Sequence, residues 1–399
     1  MPESDTDGAA NADLVIYSSA LAEDHASLMA ARSAGVPTLK RARALGALVN
    51  DRLLAAVAGT HGKTTVTAML ALAAESAGLD PLALVGGRVA SWDGNMRAGS
   101  GELAVVEADE YDRSFLELDP DLAIITSLEA EHLDCYGDLE ALEAAFMLFA
   151  SRAQRCLVCA DDPGTHELVS RLPECRTYGA SSQATYRVTV VDTDRAGQSC
   201  LLYGAAEPLP FRLGTHGAHN AQNAAGALAA ALWLGAAPAR LADSLAQFHG
   251  ADRRLEVLFE SERLVVIDDY AHHPTEVRAS LEAVRSAWPT RRLVVVFQPH
   301  LYSRTRDQAT AFAAALADAD RALVLPIYAA REEPLPGVSR DLITHARRGI
   351  EAIEAGAVEA LVGSGDPTVL MFMGAGNVTA LAHAAARVAG GGPIDALGD

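Results

Sequence analysis

A short apolar stretch, Leu53 to Ala58, runs into Gly59-Thr60-His61-Gly62-Lys63-Thr64-Thr65 and then into an alanine-rich helical stretch. A strand that turns through glycines into a helix N-terminus presents unpaired backbone N–H groups to an anion. A lysine adds a point charge near the outer phosphates, and a hydroxyl can hold Mg²⁺. The segment therefore predicts a phosphate-gripping loop for a nucleoside triphosphate, built from Gly59, Thr60, His61, Gly62, Lys63, Thr64 and Thr65. It is a variant loop, because the general pattern G-x-x-x-x-G-K-[ST] asks for glycine where this chain has Val57. The only lysines in the chain are Lys40 and Lys63. A composition that has almost lost lysine still keeps one here. The plain alternative, a glycine-rich turn before an ordinary helix, leaves the lysine and the paired threonines without a reason.

A chain of 399 residues, 50% of them hydrophobic, can bury sizeable cores and is expected to form two or three domains. Its apolar runs, such as Leu293 to Phe297 and Val369 to Met373, are far shorter than the roughly 20 residues a membrane span needs. The acidic N-terminus lacks a basic region followed by an apolar one, so a cytoplasmic protein with no membrane attachment is expected. A net charge of −20 opposes binding to nucleic acid. The five cysteines are Cys135, Cys156, Cys159, Cys175 and Cys200. An odd number without a secretory signal argues against a disulfide framework. Cys156 and Cys159 form a C-x-x-C, but in a buried strand residues three apart point to opposite faces.

Alternating strand and helix patterns argue for parallel α/β layers. Leu14 to Ser18 reads as a strand, Ala22 to Ala34 as a helix, Val36 to Leu39 as a strand entry and Arg41 to Val49 as a helix. That is too little for an independent doubly wound domain. From Leu53 come the loop, a helix to about Ala77, strands Glu102 to Glu107 and Leu122 to Ser127, a helix from about Leu139 and a strand at Cys156. Tyr186 to Asp192, Ser199 to Tyr203 and Leu209 to Leu213 read as short antiparallel strands, followed by a helix from Asn220 to Leu234. A boundary is expected near Gly250, in His249-Gly250-Ala251-Asp252. Beyond it strands Leu264 to Asp268, Arg292 to Phe297, Ala322 to Pro326 and Thr368 to Met373 alternate with helices Glu276 to Ala287, Arg306 to Ala317 and Asp341 to Ala346. The glycine-rich tail after Ala389 is expected to fray.

Three acidic or histidine clusters fall at expected strand ends, where α/β sheets bind ligands. In Glu107-Ala108-Asp109-Glu110-Tyr111-Asp112 hard oxygen donors suit Mg²⁺. The bland reading is a solvated acidic loop. Glu129-Ala130-Glu131-His132-Leu133-Asp134 surrounds a histidine with carboxylates. Asp268-Asp269-Tyr270-Ala271-His272-His273-Pro274 holds adjacent histidines, which rarely share one tetrahedral zinc without further ligands. Arg253, Arg254, Arg304 and Arg306 supply planar cations suited to carboxylates or phosphates, or to surface ion pairs.

Taken in order from about Asp13 to Asn377, the loop motif, Glu107 to Phe115, Glu131 to Asp134, His219 to Asn223, Asp268 to Glu276 and Phe297-Gln298-Pro299-His300-Leu301-Tyr302-Ser303-Arg304-Thr305 resemble the motifs of the Mur ligases. The resemblance implies a three-domain α/β architecture. Residues 1–51 would be part of a UDP-substrate domain, 52–250 a central P-loop ATPase-like domain, and 251–399 a C-terminal Rossmann-like domain that binds the amino acid. It also implies ATP-dependent amide-bond formation in peptidoglycan precursor synthesis, with ATP and Mg²⁺ as cofactors. The lactyl carboxylate of UDP-N-acetylmuramate would attack the γ-phosphate to give an acyl phosphate and ADP, and the amine of L-alanine would displace phosphate.

By the same resemblance Lys63 holds the β and γ phosphates, Thr64 and Glu107 serve one Mg²⁺, and His132 serves a second. His219, Asn220 and Asn223 contact the adenine side. Arg254 reaches the phosphates, while Tyr270, His272 and Arg304 position the amino acid. Lys63, His132, Arg254 and His272 are thus the expected catalytic residues. Some sister ligases carry a modified lysine after the metal histidine, and this chain has no lysine beyond Lys63, as in the L-alanine-adding branch.

Two departures stand out. Leu301 occupies a position where many family members have a second arginine for the amino-acid carboxylate. The glycine-rich strand-turn-helix that grips UDP in the family has no counterpart before Asp13 to Leu21, which implies either a start upstream of Met1 or a truncated relative. The alternatives to the L-alanine branch are the branch that joins a preformed tripeptide to the same sugar nucleotide, and a nucleotide-binding module without turnover. A monomer or a homodimer fits either.

Overall fold

The computed structural model describes residues 5–172, 175–250, 253–330, 332–362 and 366–391. Ala251 and Asp252 of the expected junction, and residues 392–399 of the glycine-rich tail, lie outside the described residues. The described residues form three sheets. A two-stranded parallel sheet pairs Val15–Tyr17 with Thr38–Lys40. The largest sheet has ten strands. Its parallel centre runs Arg155–Cys159, Leu122–Ile125, Leu53–Ala58, Leu103–Glu107 and Leu82–Val89, with Gly94–Arg97 antiparallel at one edge. On the other side Cys175–Gly179 and Tyr186–Asp194 lead into the antiparallel strands Gly197–Tyr203 and Leu209–Leu213. The third sheet orders Glu256–Glu260, Leu264–Asp269, Thr368–Met373, Arg292–Phe297, Arg321–Val324 and Ile350–Ala352, all parallel except the first.

Parallel strands covered on both faces must be apolar throughout, and Leu53–Ala58 obeys this with one face to each of two cores. Ala55 and Val57 join the core under helices Lys63–Ser76 and Ala218–Trp233. Leu54, Ala56 and Ala58 join the core under helix Leu139–Arg152. Val57 therefore sits inside a strand, paired to Glu107 on one side and to Ile124 on the other, where the pairing runs on to Ala58 and Ile125. No left-handed turn is needed there, which explains why the expected loop glycine is absent. Cys156 and Cys159 fall in the two different cores, on opposite sides of the sheet.

Several expected boundaries shift. The first long helix is Ala26–Ser33, beginning later than Ala22, because Ser18 to Asp24 are spent in turns before the His25 cap. Strand Leu82–Val89 escapes the pattern reading, since Gly86-Gly87 interrupts its apolar run. Helix Val378–Ala389 was likewise unanticipated, although Val378, Leu381, Ala382 and Ala385 pack on the third sheet. No helix among the described residues is long and apolar enough to cross a membrane.

Phe115, the last residue of the acidic motif, is fully buried. It stacks on Phe149 at 5.0 Å and meets Phe146 edge-on at 5.2 Å, so the aromatic end of the motif anchors its acidic start. Among the described residues of the N-terminal segment, Ala9, Val15 and Ala31 form a small buried cluster, and the segment is tied to this motif by Lys40 and Ser19, 2.9 and 2.6 Å from Asp112.

Phe115→Ala should cost about 3–5 kcal/mol, measured by denaturant unfolding. In native-state hydrogen exchange residues 5–50 should exchange before strands Leu53–Ala58 and Leu122–Ile125; equal protection in both regions would contradict this reading of the small core.

Candidate active site

The phosphate loop is held from below by the end of the neighbouring strand. The Thr60 N–H donates to Ser127 O at 3.0 Å, and the His61 N–H to Ser127 Oγ at 2.8 Å. Thr126 Oγ1 donates to Ala58 O at 3.2 Å and also to His61 O. Gly59 and Gly62 have φ of +140° and +79°, in the region that a side chain strains. A Cβ on Gly59 would sit 2.0 Å from Thr126 Oγ1, and one on Gly62 would sit 2.8 Å from Asn223 Oδ1. Both glycines are thus demanded by backbone angle and by close approach.

Lys63 opens the helix with its ammonium folded back into the loop. It donates to Gly59 O, to Thr60 O at 3.2 Å and to Glu110, whose two oxygens lie 2.9 and 2.8 Å away. Glu110 is 2% exposed and Lys63 14%. Burial opposes the charge on the ammonium, but Glu110 outweighs it and keeps Lys63 protonated. Thr64 Oγ1 lies 3.0 Å from Glu107 Oε1, and Glu107 Oε2 accepts the Gly86 N–H at 2.6 Å. The acidic motif is therefore divided among separate partners rather than solvated as a loop. Glu107 goes to the threonine, Glu110 to Lys63, and Asp112 to Lys40.

His132, at φ +55°, brings Nε2 to 3.7 Å from Glu110 Oε1. Donor atoms of Glu110, Glu131 and His132 all lie within 4.8 Å of one another. Two oxygen-rich groups, Thr64 with Glu107 and Glu110 with Glu131 and His132, thus line one cleft of about 420 Å³. The side chains of Leu133 and Asp134, also part of the expected motif, lie outside the described residues.

The third sheet supplies the opposite wall of this cleft with Arg254, Tyr270, His272 and Arg304. The Arg253 and Arg254 guanidinium carbons lie 4.9 and 5.0 Å from the Tyr270 ring centre. Arg304 Nη2 donates to Glu131 Oε1 at 3.1 Å, while its buried Nη1 has no hydrogen-bond partner among the described residues. His272 Nδ1–H donates to Tyr270 O at 3.0 Å, and its backbone N–H donates to Glu276 Oε2 at 3.0 Å. Burial keeps His272 below the ordinary histidine range. Leu301 caps the helix Tyr302–Leu316 at φ +70°.

A second cavity of about 230 Å³ adjoins the loop and is lined by His219, Asn220 and Asn223 together with Gly62 and Thr65. Burial, helped by Arg254, pulls His219 down to about 4, so it is neutral near pH 7. Asn220 already spends one N–H on His216 O at 2.8 Å. Gly59 lines neither cavity and acts through its carbonyl on Lys63.

Residues 57–231 match the Mur ligase middle domain, and residues 253–376 match the family described as Mur ligase, glutamate ligase domain. The UDP-N-acetylmuramate–L-alanine ligase of Chlorobium phaeovibrioides is 41% identical over 397 residues, covering 94% of this chain and 84% of that protein. The chain belongs to the Mur ligase family. The enzyme of the same name from Paenarthrobacter aurescens is 44% identical over 393 residues, covering 96% of this chain and 85% of its own. Among solved structures, the UDP-N-acetylmuramate–alanine ligase of Thermotoga maritima superposes with a TM-score of 0.80 at 28% identity, over 96% of this chain and 85% of that one. A murein peptide ligase from Psychrobacter arcticus shares the fold, with a TM-score of 0.66 at 22% identity over 96% and 87% of the two chains.

Within this Mur ligase fold the expected residues converge from two sheets. Lys63, Thr64, Glu107 and His132 face Arg254, Tyr270, His272 and Arg304 across one cleft. Sequence reasoning gave no role to Gly86, Glu131 or Glu276, which line the same space. Glu276 had a signal, since it closes the Asp268 to Glu276 motif. Burial opposes its charge, yet His272, His61 and Arg254 hold its carboxyl well below the usual range. Gly86 had none, because its contact to Glu107 joins distant strands.

His61 bridges the two walls, with Nδ1 3.1 Å from Glu276 Oε1 and Nε2 3.6 Å from Glu129 Oε2. Burial pulls its imidazolium down, but Glu129 and Glu276 outweigh that and raise it to about 10 from 6.5. A raised folded value means that the contribution is complete below about pH 6.5 and disappears as pH climbs toward 10. Stability, read as urea midpoints, should therefore fall across that window, and His61→Gln should flatten the fall. Gly59→Ala should destabilise by at least about 1–3 kcal/mol, from backbone strain and overpacking together.

Proposed function

We propose that this chain ligates L-alanine to UDP-N-acetylmuramate at the cost of ATP, in the synthesis of peptidoglycan precursors. The observation that carries the reading is the single cleft in which phosphate-loop residues of one sheet face the arginines and histidine of another. In this reading residues 1–51 belong to the UDP-sugar side, 52–250 bind ATP and 251–399 bind the amino acid. The protein works in the cytoplasm on these small molecules, without nucleic acid or membrane.

Lys63, released from Glu110 and its loop carbonyls, holds the outer phosphates, and the N–H groups of Gly62, Thr64 and Thr65 complete the anion cradle, while Gly59, Thr60 and His61 keep the loop in shape. His219, Asn220 and Asn223 hold the adenine end in the adjoining cavity. The oxygen donors of Thr64 and Glu107, and the carboxylates around His132, fit Mg²⁺ better than a softer metal. Bound there, Mg²⁺ would neutralise phosphate charge. Arg254 faces the phosphates from the third sheet. Arg304, whose Nη1 lacks a partner among the described residues, receives the L-alanine carboxylate in place of the second arginine that Leu301 does not supply. Tyr270 and His272 fix the side of the amino acid next to it. Little covalent chemistry falls to the protein. It aligns a carboxylate, a phosphate and an amine, and it excludes water from the acyl phosphate.

The test is phosphate release by the purified chain with Mg-ATP and UDP-N-acetylmuramate, with and without L-alanine. Release that requires L-alanine and disappears in Lys63→Ala is expected. Release driven by the tripeptide and not by L-alanine would move the assignment to the peptide-adding branch. Arg304→Lys should raise KM for L-alanine by about tenfold or more, a loss of about 1.4 kcal/mol, with KM for ATP little changed.

A further inference from the structure

We propose that His61, Glu129 and His273 form a binding site for a zinc-class divalent cation that joins the two large sheet units. The three residues come from the phosphate loop, the loop after strand Leu122–Ile125, and the cap of helix Pro274–Ala287. Their donor atoms lie within 4.8 Å of one another. Glu129 Oε2 stands 3.6 Å from His61 Nε2 and 3.5 Å from His273 Nδ1. Those separations are too long for hydrogen bonds, and His61 Nε2 is buried without a hydrogen-bond partner among the described residues. They suit a shared ion, because two donors each about 2.0–2.1 Å from a tetrahedral centre lie about 3.3–3.4 Å apart.

The surroundings orient the donors inward. His61 Nδ1 faces Glu276 Oε1 at 3.1 Å, and a carboxylate on one ring nitrogen directs the lone pair of the other toward a metal. Thr275 Oγ1 donates to Glu129 Oε2 at 3.1 Å, which steadies the carboxylate and leaves it further lone pairs. His273 Nδ1 accepts the Thr275 N–H at 3.4 Å, a weak bond that ligation would replace. The negative field of Glu129 and Glu276 that favours a cation on His61 favours a dication at the same point.

Two imidazoles and one carboxylate select zinc or a similar borderline ion over Mg²⁺, which prefers oxygen, and water completes the fourth position. The donor set shares no residue with the oxygen-rich groups at Thr64 and His132, and it does not depend on the ligase reading. An ion here would link the loop, the central sheet and the third sheet, so that its release and the opening of the cleft become one event.

The experiment is a Co²⁺ titration of the chelator-stripped full chain in excess Mg²⁺, followed by visible absorption. One equivalent should give the intense bands of a four-coordinate ion, displaced by Zn²⁺. His273→Ala and the isosteric Glu129→Gln, each matching the parent in circular dichroism, should weaken that binding at least about 100-fold, while His132→Ala should keep it. Absence of the bands in the parent chain would overturn the proposal. So would bands that survive both His273→Ala and Glu129→Gln, or that vanish in His132→Ala alone.

Discussion

Two acidic walls can face each other across a narrow cleft only when cations stand between them. The chain carries a net charge of −20, and Glu129 and Glu131 of the central unit approach Glu276 of the third-sheet unit. His61 lies between Glu129 and Glu276, Arg304 against Glu131, and Arg254 3.7 Å from Glu276. Exposed pairs of this kind contribute little. Here the partners are largely buried, so removing one leaves a charge uncompensated and costs far more.

The same logic operates inside the central unit. Lys63 is held on Glu110 and on carbonyls of its own loop, so its charge is satisfied before any nucleotide arrives. A triphosphate would exchange one set of acceptors for another, which keeps the cost of reorganisation low. The loop itself is fixed by hydrogen bonds to Thr126 and Ser127. Two backbone positions where a side chain would collide leave it little freedom to relax.

Much of this was legible in the chain itself. The Leu53–Ala58 strand, the Arg292–Phe297 strand and the Thr368–Met373 strand read correctly to the residue, because continuous apolar runs bounded by glycine, proline or charge have few other solutions. Strand Leu82–Val89 was invisible, since glycines at 86 and 87 dilute its apolar signal. It is held by its pairing to Leu103–Glu107 and offers the Gly86 N–H to Glu107, contacts that local pattern cannot report. The acidic motif was visible as a cluster of oxygens. Its division among Thr64, Lys63 and Lys40 was not.

By itself the sequence determined the layers, the phosphate loop and the family motifs, because each rests on short-range periodicity or on residue types at fixed spacing. Only the tertiary structure decided that His61 would reach Glu276 more than two hundred positions away, that Arg304 would find Glu131, and that His273 would join Glu129. Those pairings depend on how two sheets dock. Docking is set by shape and charge summed over both surfaces, a quantity that no local stretch of residues contains.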